Sequence, residues 1–325
     1  MVNFRKNLIQ KCLPTDGTVA DTESLSEILH NSPEADNSRL VAYAWQHVIP
    51  AGERLTVYKK LLGITGAYPE TKEIIAKHRK DEAIVLLNGL VGLRQFSGTS
   101  VDSEYKPTTT DIMKMVLISL NLYNRNVNYE SPQNLSKISM HASFHEVEER
   151  ERALAAVAIV KQVTHLCPGN WIDIFHISQG IFRIIDQTFV RDGVVDQYAT
   201  EIRLTLINNH GLKSLKIDPS DMRVYIRSCM AEIVTCQRTM FLIFDKIVTA
   251  QSIGALLRSF AVALLLSFEV KETDSAAQQR CATQAIEEAW RAMRSGGVSS
   301  NRPSWPRELP RPVINRHSYS LGEMR

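Results

Sequence analysis

Apolar residues recur along this chain every three or four positions and almost nowhere alternate. From Ser38 to Ile49, Leu40, Val41, Ala44, Trp45 and Val48 form one stripe, and Pro50 stops it. Gly52–Leu62 repeats the pattern with Leu55, Tyr58, Leu61 and Leu62. Pro69 sits where a first-turn proline belongs, opening Glu70–Lys80, and Asp81–Leu93 continues it. Thr110–Tyr123 is a further apolar helix. The stretch 124–143 is different: rich in Asn and Ser, holding Pro132 and without period, it reads as a boundary between two helical lobes.

Beyond the boundary the same spacing predicts longer helices. Phe144–Leu166 begins with charges (EVEERER) and turns apolar (ALAAVAIVKQV). Asn170 is a good N-cap for Trp171–Phe189, and Gly193–Asn209 follows. Asp218-Pro219 opens a helix reaching about Asp245, with a break on the way left open. Thr249–Phe268 and Asp274–Arg294 complete the series, and Gly296-Gly297 ends it. No Asn-Gly or Asp-Gly turn separates alternating segments, so strands are expected to be scarce. The fold class is therefore all-α, in two helical lobes with extended N- and C-terminal arms. The expected divisions are 1–37 (arm), 38–123 (lobe), 124–143 (linker), 144–294 (lobe) and 295–325 (basic, Pro-rich arm).

Charge changes the picture only at the end of the chain. The 325 residues carry 38 Lys+Arg against 35 Asp+Glu. All of that surplus lies in 295–325, where five arginines face two glutamates. Pro303, Pro306, Pro310 and Pro312 exclude a continuous helix there. The segment nevertheless keeps Trp305, Leu309, Val313, Ile314 and Tyr319, which are the expected anchors of an oligomerisation arm.

Candidate chemistry is sparse. The chain contains no phosphate-binding glycine loop, no dinucleotide fingerprint, no H-E-x-x-H and no G-x-S-x-G. Neither catalysis, a cofactor nor a metal site is expected. His141 and His145, with Glu146, Glu148 and Glu149 behind them, have spacing that a metal accepts, but solvated polar residues at a boundary explain them better. His165 and His176 interrupt apolar helices and read as core histidines. Five cysteines without C-x-x-C spacing give neither a disulfide framework nor a zinc module, and point to a reducing setting. Cys229 and Cys236, seven apart, are expected as buried thiols on one helical face. The most apolar run, Ile253–Phe268, is too short to cross a bilayer and contains Arg258, so no membrane partner is expected.

Cations that interrupt or flank apolar helices are the remaining signal. Lys77-His78-Arg79-Lys80 reads as the basic close of a helix. Arg183 and Arg191 lie on one helix and at its end. Lys213 and Lys216 occupy the next loop, and Arg223 and Arg227 are four apart on the helix after it. A loop with two lysines feeding a helix amino end suits phosphate, although Asp218 and Asp221 compete there and surface salt bridging explains the same residues equally well.

This layout resembles the nucleoproteins of negative-strand RNA viruses: two helical lobes joined by a hinge, with terminal arms reaching onto neighbours. The resemblance spans the whole chain in outline. It implies single-stranded RNA held without sequence preference by phosphate contacts in a cleft between the lobes, and homo-oligomers linked by the arms. Arg183, Arg191, Lys213, Lys216, Arg223 and Arg227 are the candidate contacts. The setting would be intracellular: host cytoplasm or virion. A coat protein of a flexible filamentous virus is a related reading. The alternative is a helical interaction scaffold whose tail (Pro303-Ser304-Trp305-Pro306, flanked by Arg302 and Arg307) is a proline-rich ligand for a protein partner.

Overall fold

A computed structural model describes residues 25–31, 37–66, 69–101, 104–123, 144–167, 170–189, 193–210, 219–234, 236–250, 253–269 and 283–291. The fold is all-α. In chain order the elements begin with α1 (Leu25–Asn31), α2 (Asn37–Gln46), α3 (Ala51–Leu61) and α4 (Pro69–Gly92). Two short strands, β1 (Thr99–Val101) and β2 (Glu104–Lys106), precede α5 (Thr109–Ser119). Then come α6 (Phe144–Leu166), α7 (Trp171–Thr188), α8 (Val194–His210), α9 (Pro219–Arg227), α10 (Gln237–Ile247) and α11 (Ile253–Glu269). A last helix, α12, covers 283–291.

The centre is the α6–α7 pair. In α6 the run from Ala153 to Val160 is buried nearly all round, because four alanines let neighbouring helices approach closely from several sides. Helix α6 packs on α5, α7, α9 and α10, while α7 also meets α4, α5 and α11. Asn170 caps α7 by accepting from the Asp173 amide at 3.2 Å. At α5 the expected helix is shorter, and its start is a full capping box: Thr108 accepts from the Asp111 amide, and Asp111 from the Thr108 amide. The same buried carboxylate takes the Ser97 amide and hydroxyl, each at 2.8 Å, which ties down the base of the hairpin. Among the described residues that hairpin is the whole of the sheet structure, in keeping with the expected scarcity of strands. It is antiparallel, with Ser100 opposite Tyr105, and a side chain at Gly98 would collide with the Lys106 carbonyl.

Other departures have local causes. Residues 69–92 form a single helix, so the basic stretch at 77–80 lies in its middle rather than at its close. The helix opened by Pro219 stops at Arg227, where Cys229 and Met230 take left-handed backbone conformations (φ 53° and 66°). Cys229 is buried in that turn and Cys236 precedes α10, so the two thiols do not share a helical face. His176 is buried as expected, but His165 is exposed.

One continuous apolar core includes residues from both sides of the expected boundary, from Leu25 to Trp290. Polar ties also cross it. Arg54 and Tyr58, one turn apart on α3, hold Asp245 of α10: Arg54 donates from Nε at 2.9 Å and Nη2 at 3.2 Å, and the Tyr58 hydroxyl donates at 2.7 Å. Lys246 is fully buried and donates to the carbonyls of Ala44, Trp45 and His47 at the end of α2, with its ammonium 3.9 Å from the Trp290 ring centre. Burial raises the Asp245 carboxyl against the pull of Arg54, and burial raises the Tyr58 hydroxyl well above its ordinary range. The linker 124–143, residues 1–24 and 32–36 of the N-terminal arm, and the C-terminal arm with Trp305, Leu309, Val313, Ile314 and Tyr319 lie outside the described residues, whereas the rest of the N-terminal arm holds α1, whose Leu25 and Ile28 join the chain's own core.

Candidate nucleic-acid interface

The expected phosphate contacts separate into three groups. Arg223 and Arg227 form the first, and both point into the fold. Their spacing of four puts them on one face of α9, and that face packs on α6, where Glu148 and Glu151 stand three apart. Arg223 donates from Nε to both Glu151 oxygens, at 2.8 and 2.9 Å, and from Nη1 to Asp196 of α8 at 3.0 Å. Arg227 is 3% exposed; it donates to Glu148 at 2.7 Å and lies 3.5 Å from Asp186 of α7. Arg152 completes the network with two bonds to Asp186, at 3.0 and 2.6 Å. Of the two explanations the sequence leaves open, ion pairing is what these two arginines display.

Electrostatics follow from this packing. Burial pushes the Glu151 carboxyl up, while hydrogen bonds from Arg223 pull it down. The Arg223 guanidinium is held more firmly protonated by those same Glu151 bonds. Beside it a cavity of about 10 Å³, lined by Val147, Glu148, Glu151, Gly193, Val195, Asp196, Arg223 and Arg227, has room for one water. It does not admit a nucleotide.

The aromatic neighbours extend the network. The Arg227 guanidinium lies 5.9 Å from the Phe189 ring centre, and Phe189 meets Tyr198 edge-on at 5.6 Å. Arg258 covers Tyr198 at 4.9 Å and pairs with Glu201. Gly254 is required on α11, because any side chain there would run into the Tyr198 ring and hydroxyl.

Arg183 is the second group by itself: it is exposed on α7, a helix otherwise mostly buried. The third group, Arg191, Lys213 and Lys216, lies outside the described residues. Their place in the chain is still informative, since Arg191 precedes α8 and the two lysines follow it. Helix α8 has 17 residues, about 25 Å of length. Its core stripe is Val195, Ile202 and Leu206. The opposite side exposes Gln197, Thr200, Arg203 and Asn208, together with Leu204 (51%) and Ile207 (37%).

Arg203 was not among the residues singled out from the sequence. The signal was there: Leu204 and Ile207 fall off the stripe through Val195, Ile202 and Leu206, which marks an apolar outer face with an arginine in it. No protein-family model matches the sequence, and no curated protein matches it either. Among the described residues no helix is long and apolar enough to cross a membrane.

Proposed function

We propose that this chain is a self-assembling protein that coats single-stranded RNA without sequence preference, and that the strand follows the outer face of α8. The supporting observation is that face itself. It exposes Arg203 beside Leu204 and Ile207, with Arg191 before the helix and Lys213 and Lys216 after it in sequence. A cation among exposed aliphatic side chains suits a polymer that offers phosphates and base faces together. About 25 Å of helix matches a run of several nucleotides rather than one bound phosphate.

Arg223 and Arg227 take a different part in this reading. They clamp α9 to α6, α7 and α8, so they fix the two helices that flank Lys213 and Lys216 in sequence. They are positioning residues, and Arg183, Arg191, Arg203, Lys213 and Lys216 are the proposed phosphate contacts. The arm ahead of α1, residues 1–24, and the arm at 295–325 are proposed to link neighbouring copies, in host cytoplasm or virion, while α1 itself packs on the chain's own core.

The second reading is a protein-interaction scaffold, favoured by the same exposed Leu204 and Ile207 as a docking patch. The two separate on one column. Recombinant full-length protein is run at low salt with absorbance at 260 and 280 nm and light scattering. The coat reading expects large particles whose 260 nm excess disappears with ribonuclease; a nucleic-acid-free species of constant mass contradicts it.

A further inference from the structure

Helix α4 carries an outer seam that matches itself. Ile74, His78, Asp81, Val85, Asn88 and Gly92 follow one another at intervals of four, three, four, three and four. That is the spacing of positions in a helix–helix seam. All six are exposed, with Ile74 at 69% and Val85 at 68%, while Ala83, Leu87 and Leu90 face the core. His78 and Asp81 make no ion pair within the chain among the described residues.

In an antiparallel pair related by a two-fold axis, residues at one level have numbers with a constant sum. A sum of 159 puts Ile74 opposite Val85 of the other copy and His78 opposite Asp81. Each match occurs twice, and Thr71 falls opposite Asn88. Apolar meets apolar and a basic ring meets a carboxylate, in one register. The same sum centres the pair within a residue of the midpoint of α4, so the two helices overlap over nearly their full length of about 36 Å.

The glycines give an independent indication. Gly89 and Gly92 stand in the last turn of α4, and a side chain on either would meet nothing within 4 Å. Gly89, one turn inside the helix end, costs about 1 kcal/mol relative to alanine, with no close approach inside the chain to offset it. In the matched register Gly89 lies level with Glu70 of the other copy, where a missing side chain lets the two helices approach.

We infer that α4 is a self-association surface, joining two copies of this chain antiparallel about a two-fold axis through His78–Asp81 and Ile74–Val85 contacts. This interface is isologous and closes on itself, so it is distinct from any arm-linked chain of subunits and does not depend on RNA binding.

The test uses the full chain, treated with ribonuclease, in sedimentation equilibrium. Val85→Glu is expected to weaken self-association about 100-fold, roughly tenfold at each of two symmetric positions. Asp81→His alone is expected to weaken it, and His78→Asp combined with Asp81→His to restore it, because the exchanged pair still matches across the axis. Since all these positions are solvent-exposed, helical circular dichroism should not change. Register is read separately from an Ile74→Cys, Val85→Cys double variant, in which mild oxidation should link position 74 of one copy to position 85 of the other, mapped by peptide mass. Unchanged self-association in Val85→Glu, or a charge exchange no better than Asp81→His alone, would overturn the inference.

Discussion

Helices α8 and α9 are consecutive in the chain, both carry arginine, and they use it in opposite ways. On α9, Arg223 and Arg227 turn inward and their charge is met by Glu148, Glu151, Asp186 and Asp196. On α8, Arg203 turns outward next to Leu204 and Ile207. Removing a charge from water requires a partner, so an arginine on a core-facing stripe recruits carboxylates from neighbouring helices. An arginine on the outer face remains available to an external anion. Counting basic residues along a sequence does not separate the two; their phase relative to the apolar stripe does.

The deepest inward pair should be the most sensitive. Asp245→Ala leaves Arg54 buried without its carboxylate, and urea denaturation should register a loss of about 3–5 kcal/mol. A change under 1 kcal/mol would mean that Arg54 finds water instead. Next comes Arg227→Ala, expected to cost about 2–3 kcal/mol, since Glu148 and Asp186 are partly exposed and relax toward solvent. The salt slope of RNA binding by the folded fraction should not change; a slope shallower by about 0.7 would return Arg227 to the list of contacts.

Asp111 provides a pH test of the inward side. Burial alone would raise its carboxyl, but the amides and hydroxyls of Ser97 and Thr108 outweigh that and hold it below its ordinary range. The folded state then binds fewer protons than the unfolded state in this window. Its stabilisation is therefore complete above the ordinary carboxyl range and is lost as pH falls through the lower folded value. Asp111→Asn should lower stability by about 1–2 kcal/mol near neutrality and flatten the acid limb of stability against pH. An acid limb as steep as that of the wild type would contradict this. The smallest structural effect belongs to Arg203→Glu, which should shift stability by no more than about 0.5 kcal/mol.

Much of this fold was legible because helical periodicity is local. Phe144–Leu166 matches α6 end to end, and the Asn170 cap marks the start of α7. The break after Arg227 was only half legible, since it rests on consecutive left-handed residues, Cys229 and Met230, that no glycine announces. The hairpin is not legible in the sequence because three-residue strands carry no period; it depends on Asp111, at the base of the next helix, reaching back to Ser97. For the site, the four-residue spacing of Arg223 and Arg227 correctly places them together but not inward. That direction comes from Glu148 and Glu151, more than 70 residues away in sequence. The division into two lobes rested on composition at 124–143, whereas Arg54–Asp245 and the Lys246 contacts bind helices from both sides of it.

The most direct test of the outward side is the affinity of the ribonuclease-treated protein for a single-stranded RNA oligonucleotide, measured against salt for wild type and Arg203→Glu. Wild-type affinity should fall steeply and linearly on a log–log scale, and the variant should bind every sequence more weakly with a slope shallower by about 0.7. Wild-type binding that is absent or indifferent to salt, or a variant that binds like wild type, would contradict this.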